Sequence, residues 1–265
     1  MTTAIIGAGV MGETLLSGLL RAGVPKSELL IADRRIERSA EVTKEHGVAN
    51  GTNQEVSAKA DTVVLVVKPQ DMAIVLDEIK DSLRPGTLVV SLAAGITTGF
   101  MEDLLPAKTP VIRVMPNTPA LVDQGMAAIS SGTNSTEDHL VTVETLLRSV
   151  GQVVRVPEKY QDAVTAISGS GPAYIFYVVE AMIEGGVMLG LPRDVANELV
   201  LQTVYGAATM LRETKEHPTV LREQVTSPGG TTVAALRQFD DFKVRAAFLS
   251  AMEAARDRSK ELGMQ

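Results

Sequence analysis

The stretch Thr3-Ala4-Ile5-Ile6-Gly7-Ala8-Gly9-Val10-Met11-Gly12 decides the fold. Thr3 to Ile6 form a short apolar, β-branched run that reads as a buried strand. Gly7, Gly9 and Gly12 then make a G-x-G-x-x-G pattern, and residues 11–22 carry apolar side chains at helical spacing. Six-residue glycine patterns arise by chance; a strand before and a helix after give this one its meaning. Gly7 permits the tight turn, Gly9 lets backbone approach a pyrophosphate, and Gly12 lets helix pack on strand. The N–H groups that open the helix, at Val10 and Met11, face the phosphate charge.

Outward from this turn, strands and helices alternate. Residues 29–32, 63–67, 88–92, 111–114 and 127–130 read as further strands, each a continuous apolar run rather than an alternating one. Such runs suit parallel strands covered on both faces. Residues 35–46, 72–83 and 137–149 read as helices. The rhythm predicts an α/β, Rossmann-type doubly wound sheet. Its ligand crevice lies at the carboxyl ends of the strands. The loops that reach those ends supply candidate cofactor-binding residues. Asp33 closes the second strand and suits an adenine-ribose 2′-hydroxyl, which favours NAD; Arg34 and Arg35 follow and suit a 2′-phosphate, which favours NADP. Both readings stand on sequence. Lys68 after the next strand suits a ribose or phosphate oxygen. Ala93-Ala94-Gly95 offers small side chains against which a flat ring can lie, and Asn117, between Pro116 and Pro119, suits a carboxamide.

Strand signals stop after residues 152–156, and from Gln161 the chain reads as helical. A boundary near Pro157 predicts a dinucleotide-binding domain over 1–157 and an all-α domain over 158–265. The second part is rich in Ala, Val, Leu and Met on more than one helix face, which predicts cover by a second copy. Two loops interrupt it. Ser168-Gly169-Ser170-Gly171-Pro172 makes a kink or exposes backbone to a ligand. Ser227-Pro228-Gly229-Gly230-Thr231-Thr232 runs straight into a helical pattern at Val233. Unpaired N–H groups of Gly230, Thr231 and Thr232, with three hydroxyls, suit a small carboxylate; a simple Ser or Thr cap is the plainer alternative.

The 265 residues hold 45% hydrophobic residues and a net charge of −7, which disfavours a nucleic-acid or anionic-membrane partner. The absence of cysteine excludes disulfides, thiolate nucleophiles and Cys-ligated metals, and suits a reducing compartment. His46, His139 and His217 lie far apart, in no metal-ligand spacing, so no metal is expected. No basic segment precedes the first strand, so a signal peptide is not expected and the chain reads as cytoplasmic. Two uncharged stretches, 85–101 and 163–179, read as buried soluble structure, Tyr174 and Tyr177 as core, and His217 as a cap or packing residue.

Taken together, Gly7–Gly12, Val66-Val67-Lys68-Pro69-Gln70, Ser91-Leu92-Ala93-Ala94-Gly95-Ile96, Arg113-Val114-Met115-Pro116-Asn117-Thr118-Pro119, Gly169-Ser170-Gly171-Pro172-Ala173-Tyr174 and Ser227–Thr232 resemble pyrroline-5-carboxylate reductases nearly end to end. The resemblance implies hydride transfer to the C=N carbon of 1-pyrroline-5-carboxylate, giving L-proline, the last step of proline biosynthesis. It implies NADP(H) as preferred cofactor with NAD(H) as the alternative. It also implies a helical dimerisation domain, hence a homodimer at least, with a decamer of dimers as a larger form. By likeness, Ser227 and the Gly230 and Thr231 amides hold the carboxylate with Gly229 shaping the turn, Thr232 meets the ring nitrogen as the catalytic residue, and Asn53 contacts the adenosine ribose. A β-hydroxyacid dehydrogenase on the same plan, and a nucleotide-sensing regulator without catalysis, are the rivals. The first commonly uses a lysine after a Gly-rich helix start, and none lies near Gly169–Pro172; the second has no need of the Ser227–Thr232 anion site.

Overall fold

A computed structural model describes residues 1–263; the last two residues of the expected second domain lie outside the described residues. Eight strands form one sheet in the order β3-β2-β1-β4-β5-β6-β7-β8. They are β1 (Thr3–Ile6), β2 (Leu29–Ala32), β3 (Ala49–Asn50), β4 (Thr62–Leu65), β5 (Leu88–Ser91), β6 (Val111–Met115), β7 (Gly125–Ser131) and β8 (Gly151–Arg155). Neighbours pair in parallel except β6 with β7. Strand order reverses at β1 and β4, so the loops after these two strands open a crevice between them.

The apolar runs are explained by cover on both sides. Ile5, Ile31, Val64, Val90 and Ile112 point to one face, under α1 (Val10–Arg21), α2 (Ile36–His46) and, farther along the chain, Glu137–Arg148. Ala4, Ile6, Leu30, Val63, Leu65 and Val89 point to the other, under α3 (Asn53–Lys59), α4 (Met72–Ile79) and α5 (Thr98–Leu104). The Glu137–Arg148 helix is α6. Two helices were not anticipated. α3 is held by a capping box in which Thr52 accepts from the Glu55 amide and Glu55 accepts from the Thr52 amide; α5 is capped by Thr97.

Two compact units divide the chain. The first comprises Met1–Ser170 and the segment from Ala255 onward. It extends past Pro157 because polar contacts bind residues 158–170 to the sheet. Glu158 accepts from the Thr98 amide (2.7 Å) and hydroxyl (2.6 Å), and Gln161 Nε2 donates to Ser130 Oγ (2.8 Å). The buried Arg113 pairs with Glu158 (3.4 Å), and Asp162 accepts from Ser259 of the last helix (2.8 Å). This region contains a short helix, α7 (Gln161–Val164), which continues as a π turn over Thr165–Gly169.

The second unit, Gly171–Ala254, is helical: α8 (Gly171–Met188), α9 (Arg193–Thr214), α10 (Pro218–Gln224), α11 (Thr231–Asp241) and most of α12 (Val244–Gly263). Pro172 falls in the first turn of α8, where its missing N–H removes no helical bond. His217 caps α10 by accepting from the Thr219 amide (3.2 Å), as its place before Pro218 suggests. The expectation of burial holds for Ala166 but not for the later part of 163–179. Ile175 and Phe176 are exposed, and Tyr177 is 74% exposed, because nothing among the described residues covers this face. The stretch Glu158–Met188 is also long and apolar enough, by length and composition alone, to cross a membrane.

Candidate active site

The glycine-rich turn is built as its spacing requires. Gly7 has φ +108°, a value that L side chains rarely adopt, and a Cβ there would strike the Val66 carbonyl. A Cβ on Gly12 would fall on the carbonyl oxygen of Gly7. Gly9 differs: nothing lies within 4 Å of the place its Cβ would take. Two glycines are thus demanded by the fold, and the third leaves an open backbone surface at the start of α1. That open surface fits the pyrophosphate of a dinucleotide.

A cleft of ≈ 360 Å³ adjoins this surface. Gly7, Gly9, Asp33, Arg34, Asn53 and Lys68, all expected at a cofactor, line it together, along with Arg35. Lys68 is exposed and makes no ion pair among the described residues. Arg34 is exposed and only loosely paired with Asp71 (3.4 Å). Asn53 donates to Glu78 (2.7 Å).

Asp33 is more committed. Its Oδ2 accepts from the Ala8 amide (2.8 Å), and its Oδ1 accepts from the Arg35 amide (2.9 Å) and Nε (3.3 Å). Its side chain is 8% exposed. Both carboxylate oxygens therefore have protein partners in the free chain. Arg38, which sequence reasoning missed, donates through Nε to the Ala8 carbonyl (2.8 Å) and through its terminal nitrogens to Glu13 and Glu41. Burial alone would lower the Arg38 pKa; the Glu41 and Glu13 carboxylates outweigh it, and the net shift is upward.

The remaining cofactor candidates lie elsewhere on the first unit. Val10 is exposed at the start of α1, and Ala94 is half-buried in the loop after β5, outside the lining of this cleft. Met11 and Asn117 line a separate pocket of only ≈ 10 Å³ with Leu92 and Pro116. Asn117 Oδ1 accepts from the Met126 amide (2.7 Å), and its Nδ2 donates to the Ser168 carbonyl (3.2 Å). Its amide thus ties the Pro116–Pro119 loop to the π turn.

In the second unit, the Ser227–Thr232 loop ends at the N-terminus of α11. The N-cap is Gly230, and no side chain caps the helix, so the plain Ser or Thr cap is not what the loop provides. Gly229 has φ +69°, which glycine adopts without strain. In one respect the geometry departs from expectation. The Gly230 amide already donates to the Ser227 carbonyl (3.0 Å) and closes the turn, so the amides left to an anion are those of the first helical residues, Thr231 and Thr232. Gly229, Gly230, Val233 and Arg237 line an open groove of ≈ 340 Å³. Arg237 was also missed; it lies seven residues, about two helical turns, beyond Gly230 and so on the same face.

Comparison with known proteins matches two separate parts of the chain. Residues 158–262 match the model for pyrroline-5-carboxylate reductase dimerisation, and residues 2–95 match that for coenzyme F420-dependent NADP oxidoreductases. A pyrroline-5-carboxylate reductase of Corynebacterium melassecola is 46% identical over 99% of this chain and 98% of its own length. The chain belongs to the pyrroline-5-carboxylate reductase family. Solved members of that family have the same fold. The structure from Coxiella burnetii superposes with a TM-score of 0.93 at 37% identity, covering 98% of each chain. The Plasmodium falciparum pyrroline carboxylate reductase, solved with NADP bound, superposes with a TM-score of 0.88 at 30% identity, covering 99% of this chain and 98% of its own.

Proposed function

We infer that this chain reduces 1-pyrroline-5-carboxylate to L-proline with a reduced nicotinamide dinucleotide. The observation that carries the reading is the bare N-terminus of α11: a helix that opens on Gly230 with no capping side chain, ringed by Ser227, Thr231 and Thr232. A β-hydroxyacid dehydrogenase would commonly carry a lysine after a Gly-rich helix start, and none lies near Gly169–Pro172; a nucleotide sensor has no need of this turn.

The chain's residues divide the work. Gly7, Gly9 and Gly12, with the amides of Val10 and Met11, seat the pyrophosphate. Lys68 meets a ribose or phosphate oxygen, Asn53 the adenosine ribose, and Ala94 the ring. Ser227 and the Thr231 and Thr232 amides hold the substrate carboxylate, with Gly229 and Gly230 shaping the turn. The Thr232 hydroxyl orients the ring nitrogen and passes it a proton from water; alone it is a weak acid. A protonated imine is already electrophilic, so the protein contributes chiefly alignment, with reacting atoms about 3–3.5 Å apart. The bound dinucleotide supplies the hydride.

NADP(H) is the preferred cofactor. The support is the pair of residues that sequence left in balance: Asp33 has both oxygens engaged, while Arg34 stands on the cleft with only a 3.4 Å partner. A guanidinium suits a 2′-phosphate. The working form is a soluble, cytoplasmic homodimer joined through Gly171–Ala254, whose apolar faces find no cover among the described residues of one chain.

The test is an absorbance assay of the reduced nicotinamide with 1-pyrroline-5-carboxylate, other cyclic imines and 3-hydroxy acids, run with NADPH and NADH in parallel. Consumption confined to the first substrate, with the lower KM for NADPH, is expected. No consumption with any imine would overturn the reading.

A further inference from the structure

The glycine-rich turn is held from outside by two side chains of opposite charge. Asp33 Oδ2 accepts from the Ala8 amide (2.8 Å), which fixes the peptide between Gly7 and Ala8. Arg38 Nε donates to the Ala8 carbonyl (2.8 Å), which fixes the next peptide, between Ala8 and Gly9. Both peptides are trans, so each is a plane whose C=O and N–H point opposite ways. Pinning the Ala8 oxygen on the Arg38 side therefore aims the Gly9 N–H away from Arg38. Two successive planes of a turn rich in glycine, which would otherwise move freely, are set by tethers.

Arg38 is itself aimed. It stands on α2, and its terminal nitrogens bind Glu13 of α1 and Glu41 of its own helix (3.3 Å). His46 Nε2 lies 3.3 Å from the other Glu13 oxygen. Glu13, Glu45 and His46 bring ligand atoms within 4.8 Å of one another, but the Arg38 guanidinium already occupies Glu13 and supplies the positive charge there. All three nitrogens of the guanidinium are in use, and Arg38 is absent from the lining of the cleft, which Arg34 and Arg35 occupy.

We propose that Arg38 is a positioning residue for the dinucleotide, holding the Ala8–Gly9 peptide so that the turn is shaped for a pyrophosphate before the ligand arrives. Pre-shaping removes an ordering cost from binding. The proposal rests on the reading of this turn as the pyrophosphate seat. It has a signature that a contact with the 2′-phosphate would lack, because the pyrophosphate is common to both nicotinamide dinucleotides.

The experiment measures Kd by titration for NADPH, NADH and 2′-AMP, with the full chain and with Arg38→Ala, Arg38→Lys and Glu13→Gln. 2′-AMP carries the 2′-phosphate but no pyrophosphate. Arg38→Ala should raise Kd for NADPH and NADH by the same factor, roughly tenfold, the scale of one lost charge-assisted bond. Binding of 2′-AMP should not change. Arg38→Lys, which keeps the charge and loses the planar fork, should fall between. Glu13→Gln should give a smaller rise, again equal for both dinucleotides, and with Arg38→Lys it keeps the test alive if Arg38→Ala does not fold. A loss confined to NADPH and 2′-AMP would overturn the proposal, since Arg38 would then read the 2′-phosphate. Unchanged affinities in every variant would also overturn it. Failure of the unsubstituted chain to bind either dinucleotide would instead remove the reading of the turn, and the proposal with it.

Discussion

The sheet unit and the helical unit of this chain handle their apolar residues in opposite ways. In the sheet unit the strands are sealed on both faces, and Ile5, Leu16, Ile31, Leu65 and Leu76 are at most 1% exposed. Among the described residues of Gly171–Ala254, the only buried hydrophobic side chains are Ala196 and Val200. Phe176, Met188, Leu199, Tyr205 and Phe242 all lie open. The same kind of composition gives a finished core in one region and an unfinished one in the other. The reason is geometric. A parallel sheet brings its own crossover helices to cover it, whereas a helix apolar on several faces needs more neighbours than this unit supplies.

The largest test of that contrast is core truncation in the sheet unit. Leu16→Ala should lower unfolding free energy by about 2–5 kcal/mol, the range for a buried leucine. The loss relative to the unsubstituted chain should be the same at every protein concentration, even where dilution shifts both midpoints; a loss that grew or shrank with dilution would break the contrast. Thr232→Ala in the helical unit should do the reverse. Steady-state assays should show kcat/KM falling about 100-fold, with the melting temperature unchanged. An unaltered kcat/KM would take Thr232 out of the reaction.

Leu199→Lys probes the unfinished surface. A two-fold interface carries each substitution twice, so dimer dissociation should strengthen by about 100-fold, read by light scattering or sedimentation. A wild-type chain that runs as a monomer at micromolar concentration would remove the second copy altogether. Arg34→Ala sharpens the cofactor side. The ratio of NADPH to NADH efficiency should drop roughly tenfold, the worth of one charge-assisted contact to a phosphate, with NADH constants little changed.

The smallest expected effect is electrostatic. Asp61 accepts from the Thr2 amide (2.8 Å) and from Arg84 (2.7 Å), and these hold its carboxyl below the usual range. A folded pKa below the unfolded one adds stability that is fully present above the unfolded value and fades as pH falls through the folded value. Asp61→Asn should therefore destabilise slightly at pH 7 and not at all in strong acid, in urea melts at both pH values. An equal loss at both would point to packing instead.

Much of the first unit was legible because its signals are local. Apolar runs marked the central strands, and glycine spacing marked the turn. The α3 helix was missed although its capping box, Thr52-Asn53-Gln54-Glu55, stands in the sequence; seven residues are too few to show a helical period. The site residues divide similarly. Gly7, Gly9, Asp33, Arg34 and Lys68 were read from strand ends and Asn53 from the family resemblance, and all six line one cleft; Arg38 sits in the first turn of α2, thirty residues from the carbonyl it holds, and no spacing announces it.

What the sequence determined by itself was the strand–glycine–helix unit, the change from α/β to all-α, and a glycine-rich turn opening α11, since each follows from backbone freedom and periodicity within a short span. Only the tertiary structure decided that Asp33 is spent on the turn, that Asn117 ties two loops together, that residues 158–170 belong with the sheet, and that Ile175, Phe176 and Tyr177 lie exposed. Those outcomes turn on which groups distant in the chain are brought within about 3 Å, the length of a hydrogen bond, and that is settled by packing rather than by neighbours in sequence.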